Sequence, residues 1–215
     1  MKIKQIIFDF DGTLMDTAPV ILATMAATIR EMGLPSRSEE ECRATIGMRL
    51  DEVGEFLFPE NPGISSEYAD TYHRIFPREN RPGIAKPFPG VVETLRELHG
   101  LGYGMALASS RGHASLQEFV DGMELSGVFC ELIGGDDVKE AKPAPEPVLT
   151  ILRDMGWLAS ETLVVGDATY DIQMGKSAGC PACAVTYGNH SRSQLLSVSP
   201  DFIIDSFPEL KGIVL

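Results

Sequence analysis

The sequence predicts an α/β protein: a mostly parallel sheet with helices on both faces, interrupted once by an all-helical insert. Three patterns carry this expectation. Apolar runs of strand length recur at 3–8, 104–108, 131–133, 162–165, 181–185 and 202–204. Helical periodicity fills most of the intervals, at 91–101, 114–123, 146–155 and 171–178. Such alternation is what parallel strands joined by crossover helices require. Between residues 16 and 85 the alternation stops and only helical patterns remain.

The first run, Gln5-Ile6-Ile7-Phe8, is apolar almost throughout and reads as a buried strand. The insert opens with a helix over 19–32, with Ile21, Leu22, Met25, Ile29 and Met32 on one stripe, Pro19 in its first turn and Gly33 beyond its end. A second helix is expected over 38–46, because Ser38-Glu39-Glu40-Glu41 is a capping-box pattern with acid at the positive helix end. Two more are expected over 50–57 and 65–76. The return, 78–90, carries Pro82, Gly83, Pro87, Pro89 and Gly90 and reads as a hinge. Residues 1–15 and 86–215 are thus expected to build a Rossmann-like core, and residues 16–85 the helical insert.

The chain's 215 residues, 44% hydrophobic and 23% charged, are ordinary for a globular protein and suffice for a sizeable core. A net charge of −13 argues against nucleic acid as a partner and requires an anionic substrate to be held by local cations. No apolar run is long enough to span a membrane, and the run after Lys4 is too short for a signal peptide, so a cytoplasmic location is expected. The oligomeric state is open, and a monomer is compatible with everything read. Of the four cysteines, Cys180 and Cys183 have redox-motif spacing, but they lead into a strand rather than a helix and read as buried thiols. Cys42 reads as core, and Tyr68, Tyr72 and His73 as packing of the insert.

Four clusters carry chemistry. Asp9 and Asp11 end the first strand, and two carboxylates so placed can divide nucleophilic attack and proton transfer between them. Gly12 permits a sharp turn, and Thr13 can bond a phosphoryl oxygen or fix the loop. Ser109, after strand 104–108, offers a hydroxyl beside the backbone N–H of Ser110. Lys142, held among Pro143, Pro145 and Pro147, offers an ammonium that can neutralise both a nucleophilic carboxylate and a phosphate. Asp167 ends strand 162–165, with Asp171 one helical turn later. Asp9, Asp11, Asp167 and Asp171 are the candidate ligands of a hard, oxygen-only cation such as Mg²⁺, with Asp171 in an outer role orienting a ligating water or Lys142. Arg49 and Arg111 are candidate clamps for a second anionic group on the substrate. The first, second and fourth clusters each follow a strand, where an open α/β sheet builds its site.

In their order and wording these segments resemble the phosphatase branch of the haloacid dehalogenase superfamily. The resemblance rests on Phe8-Asp9-Phe10-Asp11-Gly12-Thr13-Leu14-Met15-Asp16-Thr17, Ala108-Ser109-Ser110, Lys142-Pro143-Ala144-Pro145-Glu146-Pro147 and Val165-Gly166-Asp167-Ala168-Thr169-Tyr170-Asp171-Ile172, and spans the chain. It implies an aspartyl-phosphate on Asp9, acid–base work by Asp11, a Mg²⁺ cofactor, and a small helical cap, residues 16–85, closing over a small phosphorylated metabolite. Similar members include phosphoglycolate phosphatases, pyrophosphatases and β-phosphoglucomutases. The aspartate at position 11 is one that dehalogenases lack. β-Phosphoglucomutases usually carry a histidine where this chain has Ile21, and its absence tilts the expectation from mutase to hydrolase.

Overall fold

A computed structural model describes residues 2–215. In chain order, β1 (Gln5–Phe8) and β2 (Met15–Asp16) precede α1 (Ala18–Glu31), α2 (Glu39–Arg43), α3 (Leu50–Leu57) and α4 (Ser65–Glu79). The chain then returns through β3 (Lys86–Pro87), α5 (Val91–Gly100), β4 (Gly104–Ala108), α6 (His113–Gly122), β5 (Glu131–Ile133) and α7 (Glu146–Met155). It ends with β6 (Thr162–Gly166), α8 (Thr169–Ser177), β7 (Ala182–Val185), α9 (Arg192–Ser197), β8 (Phe202–Ile204) and a last turn of helix, α10 (Lys211–Val214).

Six strands form one parallel sheet in the order β5-β4-β1-β6-β7-β8. β1 therefore lies between β4 and β6, with Phe8 level with Leu107 on one side and Val165 on the other. That register brings the loops after three strands to one point. Successive side chains point to opposite faces: Ile6 and Phe8 pack with Leu95, Leu98 and Leu116, whereas Ile7 packs with Val148, Ile151 and Met174. Both faces are thus covered by helices, the α/β architecture expected. Among the described residues no helix is long and apolar enough to cross a membrane.

The insert has its own core of Met25, Ile29, Cys42, Val53, Leu57, Phe58, Tyr68 and Tyr72. Cys42 and Tyr68 are buried within it as expected. Cys180 and Cys183 are free and buried, and burial pushes their thiols up to about 11 and about 12.

Three local features differ from expectation. The second helix stops at Arg43 instead of Ile46, because the N–H groups of Thr45 and Ile46 turn to the carbonyls three residues back, Cys42 and Arg43 (3.1 Å each), and the chain tightens into single turns. α4 runs on to Glu79, taking Pro77 into its last turn. The hinge contains an antiparallel ribbon in which Met15 pairs with Pro87 and Asp16 with Lys86.

Candidate active site

Asp9 is the first residue beyond β1, and its N–H is held by the Val165 carbonyl (2.8 Å). Lys142, before α7, donates its Nζ to Asp9 Oδ1 (2.5 Å) and to Asp171 Oδ1 (2.7 Å). Asp171 is held a second way: its Oδ2 accepts the N–H of Ala168 (3.0 Å) at the start of α8. Asp167, past β6, accepts the Thr13 hydroxyl at Oδ1 (3.0 Å) and both the N–H and the side-chain amide of Asn189 at Oδ2 (2.7 and 3.0 Å). All four of these charged residues are buried.

The turn after β1 exists because residue 12 has no side chain. Gly12 has φ +93°, and a Cβ there would sit 2.3 Å from Asp167 Oδ2 and 2.3 Å from the Asn189 amide. The backbone passes so close to Asp167 that only hydrogen fits.

Three carboxylates share one buried cation. Burial raises Asp9 well above the usual carboxylate range, against the pull of Lys142, and the charges of Asp171 and Asp167 raise it further. Burial, with Asp171 next in weight, pushes Asp167 up to about 7. Ligand oxygens of Asp9, Asp167 and Asp171 can lie within 4.8 Å of one another. An all-oxygen donor set with negative charge in excess of Lys142 fits a small hard cation such as Mg²⁺. Asp171 is bound to Lys142 and Ala168 and Asp167 to Thr13 and Asn189, whereas Asp9 Oδ2 accepts no hydrogen bond among the described residues.

Asp11 is placed differently. Its carboxylate lies outside that cluster and takes a two-pronged ion pair from Arg111, Nη2 to Oδ1 at 2.6 Å and Nε to Oδ2 at 3.1 Å. The third Arg111 nitrogen donates to the Ser115 hydroxyl (3.0 Å). The guanidinium is stacked 4.6 Å over the Phe119 ring and 5.4 Å from that of Phe76, which belongs to the insert. Ser109 accepts the Arg111 N–H at its Oγ (3.2 Å), and Ser110 donates its Oγ to the Gly47 carbonyl of the insert (2.6 Å).

Asp9, Asp11, Ser109, Ser110 and Arg111 form one wall of a cavity of about 220 Å³, and the insert forms the other. Of the residues expected at the site, Asp9, Asp11, Thr13, Ser109, Ser110, Arg111, Lys142, Asp167 and Asp171 come together. Arg49 does not line the cavity: its Nη1 donates to the Lys139 carbonyl (3.2 Å) and its Nε pairs with Asp51 (3.3 Å). Tyr72 and His73, read as packing, do line it. Asn189 was missed. It also accepts Arg43 Nη1 from the insert (3.4 Å), and its only signal was its place in the loop after the strand beside β6.

The site can therefore present the Asp9 carboxylate, backed by the Lys142 ammonium, to a bound group, offer that group the Ser109 hydroxyl, and keep a second carboxylate, Asp11, on the same wall. Known proteins share this framework. A family model described as haloacid dehalogenase-like hydrolase matches residues 6–185. The chain is 36% identical over 212 residues to a protein named probable phosphatase IndB from Dickeya dadantii, covering 96% of this chain and 91% of that one. It is 31% identical over 219 residues to a phosphoglycolate phosphatase of Vibrio parahaemolyticus, covering 99% and 96%. A crystal structure described as that of a predicted phosphoglycolate phosphatase from Haemophilus somnus superimposes with a TM-score of 0.90 at 26% identity, covering 100% and 99% of the two chains.

Proposed function

The chain belongs to the haloacid dehalogenase-like hydrolases, and from that premise we propose that it is a Mg²⁺-dependent phosphatase of a small phosphate monoester, working through an aspartyl-phosphate on Asp9. The observation that carries the reading is the bond from Lys142 to Asp9 at the mouth of the parallel sheet. Lys142 fixes one oxygen of Asp9, leaving the other to attack phosphorus while the ammonium offsets the charge of both anions. Attack by Asp9 Oδ displaces the alkoxide or phenoxide of the ester, and Asp11, turned from Arg111 and carrying a proton taken from solvent, would hand that oxygen its proton. Asp11 would then take a proton from the water that attacks the aspartyl-phosphate, returning Asp9 as a carboxylate and releasing inorganic phosphate. Ser109 and the backbone beside it bind the phosphoryl oxygens.

Asp9 and Asp167 would hold Mg²⁺, which supplies charge neutralisation at the phosphoryl group when bound. The burial of Asp9 and Lys142 excludes water from the nucleophile. Ile21 lines the cavity as an apolar side chain, so nothing at that position restrains Asp11 as a histidine would, which favours hydrolysis over phosphoryl return to a sugar.

The test is phosphate release from simple monoesters with and without Mg²⁺. Metal-dependent release is expected, with removal by a chelator abolishing it and Mg²⁺ restoring it. Conversion of β-glucose 1-phosphate to glucose 6-phosphate faster than phosphate release would replace hydrolase by mutase.

A further inference from the structure

We infer that the substrate carries the phosphoryl group as its one anion, and that its organic part is compact and apolar: an alkyl or aryl phosphate rather than a phosphorylated acid or a sugar phosphate. The inference rests on the phosphatase reading and narrows it.

The two walls of the cavity differ in kind. The core wall carries the charges, Asp9, Asp11 and Arg111, whereas the insert contributes Ile21, Met25, Met48, Leu50, Val53 and Phe76. Those side chains face the space that the leaving group must occupy if the phosphoryl group sits at Asp9.

A second anion would need a free cation; among the described residues Arg111 is the arginine or lysine that lines the cavity, and it and its neighbours Lys142, Arg49 and Arg43 are already engaged. Arg111 gives three nitrogens to Asp11 and Ser115. Borrowing it for a substrate carboxylate would strip the half-buried Asp11 of its partner. Lys142 is held by Asp9 and Asp171, Arg49 by Lys139 and Asp51, and Arg43 by Glu39 and Asn189. The polar side chains of the insert wall offer little in their place. The Thr45 hydroxyl donates to the Cys42 carbonyl, His73 is exposed at the rim, and the Tyr72 hydroxyl is a neutral group that offers no charge to a second anion.

A carboxylate or a set of sugar hydroxyls against the insert wall would lose water and find few partners there, which is unfavourable, whereas an alkyl or aryl group of the same size gains by leaving water.

Matched pairs test this directly: propyl phosphate against phosphoglycolate, and 4-methylphenyl phosphate against 4-carboxyphenyl phosphate, compared by kcat/KM with Mg²⁺ present. The apolar member of each pair should win by about tenfold or more, chiefly through KM, the scale of discrimination an apolar pocket provides. Met48→Lys, which places a cation on the insert wall, should narrow both ratios. Equal rates within the pairs, or preference for the acids, would overturn the inference while leaving a phosphatase. An acid preference abolished by His73→Gln would identify His73 as the anion's partner, equally against it. Absence of release from all four esters would overturn the phosphatase reading itself, and the inference with it.

Discussion

Asp9, Lys142, Asp167 and Asp171 form a buried group in which three carboxyl groups crowd one ammonium, and its consequences follow from single residues. Burial raises Asp167 from an ordinary 3.8 to about 7. A carboxyl whose folded value is raised contributes stability below its unfolded value, and that contribution is lost as pH climbs through the folded value. The metal-free protein should therefore lose stability between about pH 4 and about pH 7 from this residue. Bound at Asp167 as proposed, Mg²⁺ must displace the proton at acid pH, so it should raise the melting temperature more at pH 8 than at pH 5.5. Thermal melts with and without Mg²⁺ at both values check the sign; equal shifts would show that Asp167 does not hold the metal. At this scale much of the site was legible, because Asp9, Asp167 and Ser109 sit at strand ends, and a strand end fixes where a side chain goes. Asn189 was not, because an amide in a loop carries no pattern until the fold brings it to Asp167.

The elements show where local pattern suffices and where it does not. The strands were legible because β1, β4 and β6 are buried on both faces and read as unbroken apolar runs. The β2–β3 ribbon was not, because two residues per strand show no periodicity and Pro87 reads as a turn. The loop after α2 was mistaken for helix because Ala44, Thr45 and Ile46 are tolerable helix residues, and what ends it is the tighter backbone bonding of Thr45 and Ile46 and the positive φ of Gly47. Gly47 has φ +100°, and a Cβ there would meet Tyr170 and Ala168 at 3.6 and 3.7 Å, which is ordinary contact. Gly47→Ala should therefore act through backbone strain, not collision, costing about 1–3 kcal/mol. Because the Gly47 carbonyl accepts Ser110, the same change should raise KM more than it lowers kcat. Urea unfolding and steady-state kinetics separate the two effects; an unchanged KM would show that this loop does not seat on the core during turnover.

Over the whole molecule, the insert is closed on the core. Ser110 bonds Gly47, Arg43 bonds Asn189, Arg49 bonds Lys139, and Phe76 lies against Arg111. The sequence implied an insert but not which of its faces meets the core, since that depends on how four helices pack. This is why Arg49, expected to clamp a substrate anion, instead ties the insert to the loop before Lys142. Partly exposed contacts of this kind contribute about 0–1 kcal/mol. Arg49→Ala should accordingly raise KM by no more than about fivefold, and equally for acidic and neutral esters. A rise confined to acidic esters would place Arg49 on the substrate.

The central claim is that Asp9 is the nucleophile, and Asp9→Asn tests it most directly. The variant keeps the shape of the side chain and removes its charge, so it should fold, with a cooperative melt and unchanged secondary structure. Its Mg²⁺-dependent phosphate release should fall by at least about a thousandfold, as expected when a covalent nucleophile is lost. Release from this variant at the wild-type rate would contradict the account.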